Sequence, residues 1–321
     1  MLTRVGSNRK QACSGSHRKC LIPATGGREV HKGMPQGLRG IGLIDPREVF
    51  PLDPLTTNIA LFLKAYQPAK ERSWHLSLWS TPTGRAWCVH DVRENSCVAL
   101  VSGEGSALPA MEKLPLHPAS VSFIAVPEIS TLVPEGVLEG GREAAHLELV
   151  HGPLPTDRLR DEPIDALSAR CIYLHDDAAE KELLARFPSA RPIALQALLI
   201  KGALARSIGK AVLLLHRGHE RCDLVIAHDG AVLLANSFHA PTATDMLYFA
   251  LFALDRVGVK PDAVQLRFGG VAVNKEEEEL LARYFRDHAA AIASDERTIA
   301  GLALADPHRQ IALLEQWPCV S

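Results

Sequence analysis

No apolar run among the 321 residues approaches the roughly 18–20 needed to span a bilayer, which excludes a membrane anchor. Paired cysteine motifs are also missing. The seven cysteines, at 13, 20, 88, 97, 171, 222 and 319, form an odd set without a repeated short spacing. Such a set fits reduced thiols in a cytoplasmic protein better than a disulfide scaffold. There is no Gly-x-Ser-x-Gly elbow, so Ser237, two residues before His239, lacks the usual setting of a serine nucleophile. Strong net charge is absent too, the total being −2. That near-neutrality hides an uneven distribution. Residues 1–40 hold eight Lys and Arg against the single acid Glu29, a balance of +7 that leaves −9 for the rest.

Residues 1–55 therefore read as a basic tail, too poor in apolar surface to offset the entropy of ordering. It lacks the apolar core of a secretory signal and the periodicity of a transit peptide. Met34 offers a second start, so residues 1–33 need not belong to the native chain. Cys13, His17 and Cys20 supply three metal-ligand types, one short of a structural zinc set.

The whole chain is 47% hydrophobic, and beyond the tail its patterning is regular. Residues 74–80, 85–91 and 96–101 are β-rich runs separated by Pro82-Thr83-Gly84 and Arg93-Glu94-Asn95, an antiparallel meander. A short helical stretch near 107–114 follows, then a strand-like run at 120–127. TLVPEGVLE (131–139) reads as a turn and helix start, while HLELVHG (146–152) and ARCIYLHD (169–176) read as strands. AAEKELLARF (178–187) has helical spacing.

Residues 193–206 predict a helix entering a second half, which opens with another meander between 211 and 238. A helix through Val257 comes next, apolar nearly all round and so expected between layers, with Gly258 closing it. A strand at 263–270 and an amphipathic helix at 275–285 complete a repeated βββαβα order. Interleaved strands and helices give an α/β class. The lobes are expected at residues 56–190 and 191–321.

Three stretches, TLVPEGVLE, LLANSFHAPTATDMLYFALFALDRVGVKPD (233–262) and VQLRFGG (264–270), make the chain resemble a bacterial domain family of unknown function with an actin-like ATPase, or ribonuclease-H-like, fold. The resemblance implies a two-lobed architecture, each lobe a mixed sheet beginning with a three-stranded meander. It implies no activity.

Active ATPases of that superfamily carry an Asp-x-Gly turn in the first hairpin of each lobe, where a carboxylate serves magnesium and backbone amides cradle phosphate. The first hairpin here has Ser80-Thr81-Pro82-Thr83-Gly84 instead, and Pro82 removes an amide. In the second, His216-Arg217-Gly218 occupies the Asp-x-Gly position, with an imidazole in place of the carboxylate. Gly269-Gly270 remains as a candidate adenosine turn.

His216, His219 and Cys222 invite a metal reading, but His216 and Cys222 are expected roughly opposite one another with His219 at the tip, a shallow incomplete set. The acids at 276–279 open a helix, where the dipole favours negative charge. Asp161-Glu162 and Asp176-Asp177 offer no better pair. A nuclease would need several converging carboxylates, and the first hairpin offers only Asp91, at its far end.

The expected protein is a non-catalytic binding or assembly component without cofactor or metal, whose partner is another protein. Nucleic acid is expected only through the basic tail. Its inter-lobe ligand turns are Thr81, Thr83, Gly84, His216, Arg217, Gly218, Gly269 and Gly270. The runner-up reading is an ATPase with altered phosphate loops, in which ATP would bind.

Overall fold

Every residue of Trp74–Ser80 is buried, although the segment alternates only weakly between apolar and polar. A strand with both faces covered needs layers on either side, and the computed structural model supplies them. It describes residues 58–155, 158–291 and 306–320. These belong to one unit, Leu52–Ser321; the basic tail, with Cys13, His17, Cys20 and Met34, lies outside the described residues.

The first sheet contains β1 (Ile59–Phe62), β2 (Trp74–Ser80), β3 (Gly84–Asp91), β4 (Ser96–Glu104), β5 (Ser120–Ala125) and β9 (Arg191–Pro192), in the order β1-β4-β3-β2-β5-β9. β2, β3 and β4 form the antiparallel meander, and β5 runs parallel to β2. The second sheet repeats this plan. Its meander is β10 (Ala211–Arg217), β11 (Arg221–His228) and β12 (Ala231–His239), and β13 (Val264–Gly269) runs parallel to β10. β14 (Asp287–Ala290) adds a parallel edge. Asp229 and Gly230 both have positive φ between β11 and β12, the backbone that an Asp-Gly hairpin turn requires.

A third sheet interrupts the first half. β6 (Ile129–Pro134), β7 (Arg160–Ile164) and β8 (Ala169–Leu174) pair antiparallel in the order β6-β8-β7. Helix α1 (Glu143–His151) packs on it, only Leu147 being fully buried. Two expectations fail here. TLVPEGVLE is the end of β6 followed by a single 3-10 turn at Glu135–Val137. HLELVHG is the second half of α1 and not a strand. Its apparent alternation has no buried face behind it, since Leu149 is 85% exposed. The stretch near 107–114 reduces to a 3-10 turn at Met111–Lys113.

Between the two large sheets lies α3 (Leu195–Arg206), buried through Leu195, Gln196, Ala197, Leu198, Leu199, Ile200 and Ala203. It shares one core with Trp79, Cys88 and Leu100 of the first sheet, Leu214 and Val225 of the second, and α6 (Ile311–Leu314). α7 (Gln316–Val320) continues against β2 and β5. α2 (Asp177–Arg186) covers the outer face of the first sheet through Ala179 and Leu183.

α4 (Ala243–Arg256) and α5 (Lys275–Tyr284) cover the outer face of the second. Thr242 and Asp245 form a reciprocal capping box at the start of α4. The expectation that this helix is enclosed between layers is overturned. Met246, Ala250 and Leu254 face the core, whereas Tyr248 and Phe252 are 59% and 42% exposed and stack on each other. The helix that is enclosed is α3. No helix among the described residues is long and apolar enough to cross a membrane.

These environments separate in stability measurements. Leu199→Ala empties a site closed on all sides and lowers the unfolding free energy by about 2–5 kcal/mol. Tyr248→Ala on the open face of α4 stays within about 0.5 kcal/mol of the parent. Equilibrium urea unfolding checks both.

Candidate functional site

β2 and β10 run to the same end of the molecule, so the turns that follow them meet in a cleft. Two cavities, of about 770 and 750 Å3, flank these turns, and Trp79, Thr81, Thr83 and His219 line both. Of the turn residues expected at the site, His216 and Gly218 line the first cavity, and Gly84 and Arg217 the second. Gly269 and Gly270 line neither.

The turns are closed on themselves. In the first, Thr81 N–H donates to the Gly84 carbonyl at 2.9 Å, and the Gly84 N–H donates to Thr81 Oγ1 at 2.9 Å. Arg85 Nη1 donates to the Thr81 carbonyl and, at 3.2 Å, to that of Gly84. In the second, Gly218 N–H donates to the Arg221 carbonyl at 2.8 Å. Arg217 is buried, and its Nε pairs with Glu277 at 2.8 Å while Nη1 donates to the Ala240 carbonyl at 2.6 Å. Its charge is matched inside the fold and does not point to an incoming anion.

Gly269 and Gly270 serve close backbone packing. A Cβ on Gly269 would stand 2.6 Å from the His308 carbonyl oxygen, and one on Gly270 2.4 Å from that of Arg217. Gly270 also has φ +113°, a conformation open to glycine. Its N–H donates to the His308 carbonyl at 3.0 Å. The chain's own C-terminal segment therefore covers this turn.

The polar heart of the first cavity is a cross-strand row. Register places His216 opposite Asp223, and Asp223 opposite Ser237. His216 Nδ1 donates to Asp223 Oδ2 at 3.3 Å, and Ser237 Oγ donates to Oδ1 at 2.6 Å. Arg221 joins the row, Nε donating to Asp223 Oδ1 at 2.6 Å and Nη2 to Ser237 Oγ at 2.9 Å. Burial opposes the Asp223 charge, but the Arg221 guanidinium and the His216 and Ser237 bonds outweigh it and hold the carboxyl well below the usual range. Cys222, expected opposite His216, instead pairs with Arg217 and turns into the core under α4. His216, His219 and Cys222 are thus not brought together.

Ser237, which the sequence leaves without a nucleophile's elbow, belongs to this row, and its hydroxyl donates to the Asp223 carboxylate. Three buried atoms of the cavity lining, Trp79 Nε1, Gln196 Nε2 and His216 Nε2, have no hydrogen-bond partner.

The N-terminus of α3 forms the cavity's back wall, and acids fill it. Glu128 Oε2 accepts the Leu195 N–H at 2.5 Å and Oε1 that of Gln196 at 3.1 Å. Glu162 Oε2 accepts the Ala194 N–H at 3.1 Å, while its Oε1 pairs with Lys201 at 2.7 Å. His175 stands between Glu128 and Glu180, at 3.6 and 3.5 Å. Burial disfavours its charge, but the two carboxylates prevail and raise its pKa. The acids weighed earlier as catalytic pairs have structural partners. Asp161 pairs with Arg170, and Asp176 Oδ1 caps α2 through the Ala179 N–H.

Two changes probe this arrangement. Asp223→Asn leaves Arg221 without its ion partner and costs about 3 kcal/mol at neutral pH. A carboxyl depressed by folding contributes stability above its unfolded value and loses it as pH falls through the folded one. The parent therefore weakens below about pH 4, and the Asp223→Asn variant lacks that share of the acid limb; urea unfolding across pH measures it. Gly270→Ala costs at least about 2 kcal/mol through backbone strain and overlap with Arg217, read as a lowered thermal midpoint.

Residues 119–287 match a family described as "Protein of unknown function (DUF3822)". Among solved structures, the chain is similar to a Bacteroides thetaiotaomicron protein of actin-like ATPase fold and unknown function. Identity is 17% and the TM-score 0.59, over 68% of this chain and 91% of that one. It is also similar to a PilM–PilN type IV pilus biogenesis complex, with 15% identity and a TM-score of 0.44 over 78% and 99%. The ethanolamine utilization protein EutJ from Carboxydothermus hydrogenoformans follows, with 11% identity and a TM-score of 0.36 over 75% and 89%. No curated protein matches the chain. The fold is thus actin-like: two lobes, each with a mixed sheet that begins with a three-stranded meander.

Proposed function

The chain belongs to the DUF3822 family, and on that premise we propose that it is a non-catalytic binding protein whose inter-lobe cleft takes an extended segment of a partner protein. The observation that carries this reading is the position of the first cavity between two sheet edges. β6 ends the three-stranded sheet and β12 ends the second large sheet. Ile129 to Leu132 of β6 and Ala235 to His239 of β12 line the same cavity. A strand edge offers backbone N–H and C=O groups that an incoming extended chain can pair with, while cavities beside it select side chains.

Both edges are partly blunted by local partners that an arriving strand would displace. His151 Nε2 donates to the Ser130 carbonyl at 3.0 Å, and the Ser237 N–H donates to its neighbour Asn236 Oδ1 at 2.9 Å.

Three features weigh against nucleotide turnover. The amides of Gly84, Gly218 and Gly270 are bonded within the chain. Arg217 is matched by Glu277. The anion-attracting end of α3 already holds Glu128 and Glu162.

A random-peptide phage library panned against the full chain tests the proposal, with Ala235→Trp as the variant that fills the cleft. Extended peptides are expected to bind the parent and to lose at least tenfold in affinity on that variant. MgATP is expected to give no binding heat in calorimetry. Magnesium-dependent ATP binding would overturn the reading in favour of an altered-loop ATPase, as would peptides indifferent to the substitution.

A further inference from the structure

We propose that Cys88, His90 and Cys97 form an internal three-coordinate site for a soft metal ion, copper(I) being the best fit. The three ligand atoms lie within 4.8 Å of one another, and all three residues are fully buried. Their convergence follows from strand register. Cys88 and His90 are two apart on β3 and share a face, and Cys97 of β4 pairs directly opposite His90 across a register shift at Val89/His90. The shift draws a diagonal neighbour into the cluster. His90 Nδ1 lies 3.7 Å from Cys88 Sγ, and its Nε2 is buried without a partner.

The surroundings select the kind of ion. Two sulfurs and one imidazole are soft ligands, the set that favours copper(I) or zinc among biological metals. Zinc in a structural site takes four ligands. The nearest further imidazole, His75, is directly opposite His90 on β2. Both its ring nitrogens are engaged, Nδ1 by Ser120 Oγ at 2.8 Å and Nε2 by Ser122 Oγ at 2.9 Å, and Ser122 donates onward to Gln316 at 2.8 Å. That leaves a trigonal set of two sulfurs and one nitrogen, which copper(I) accepts and zinc does not complete.

A bound cation stabilises the thiolate form of both cysteines, and the thiol protons leave to solvent as it binds.

The lid is α6, whose Leu313 carbonyl accepts from Cys88 Sγ at 3.7 Å. Because all three residues are fully buried, the metal is offered during refolding.

The full chain carrying Cys13→Ser and Cys20→Ser, which removes the thiols of the tail, is refolded under anaerobic reducing conditions with copper(I) or zinc(II), then desalted and analysed for metal. One equivalent of copper(I) is expected to stay, resisting a bathocuproine chelator until guanidinium is added. X-ray absorption is expected to show two sulfur neighbours and one nitrogen neighbour. Cys88→Ser or Cys97→Ser should abolish retention, and His90→Gln should weaken it roughly tenfold or more. Circular dichroism and urea unfolding identify any variant that fails to fold, and the absorption spectrum of the parent tests the ligand set without one. No retained copper, retention of zinc alone, retention unchanged in folded variants, or a Cys88–Cys97 disulfide in the refolded parent would overturn the proposal.

Discussion

A helix whose first turns are enclosed on all sides must find partners for its first free amides without water, and the rest of this structure is arranged around how α3 does so. Glu128 takes the Leu195 and Gln196 amides, and Glu162 takes that of Ala194. These acids come from different places: Glu128 follows β5, and Glu162 lies in β7. Arg221 of the second meander donates to the Glu128 backbone carbonyl. One helix end thereby ties the first sheet, the inserted third sheet and the second sheet together. Lys201 pairs with Glu162, and the His175 imidazole and the Arg221 guanidinium lie close to Glu128.

That solution has a chemical consequence for the cleft. A buried helix N-terminus beside a cavity is a natural anion site, and here the chain's own carboxylates occupy it. The phosphate turns are altered in the same direction. The carboxylate missing at position 216 has a counterpart one strand away in Asp223, but that group already serves Arg221, His216 and Ser237. A magnesium ion seeks free carboxylate or water oxygens in near-octahedral array, and a carboxylate saturated by three side chains offers a poor start.

Much of the fold was legible because local signals agreed with tertiary needs. Short apolar runs between turn residues mark both meanders, and helical spacing marks α4. HLELVHG failed because seven residues of alternation look the same whether or not a layer stands behind them; α1 covers one face of a small sheet and leaves Leu149 in solvent. The helix at 243–256 misled for a related reason. Aromatic residues on an open face read as core when hydropathy alone is counted. At the site, sequence order identified the two turns but not what fills them. The pairing of His216 with Asp223 and Ser237 depends on register, and the meeting of Cys88 with Cys97 depends on a bulge. Neither is encoded in the spacing of the residues concerned.

The wall of the cleft carries three buried polar atoms without a partner, Trp79 Nε1, Gln196 Nε2 and His216 Nε2. The first two are N–H donors, for which a carbonyl oxygen is a natural acceptor. Leu195 and Phe238 line the same cavity, and apolar surroundings raise the cost of leaving a donor unmatched. An extended chain lying along β6 or β12 would bring a backbone carbonyl past this wall at every residue. The proposal of a polypeptide ligand therefore rests first on the two strand edges, and the donors in the wall between them are compatible with it.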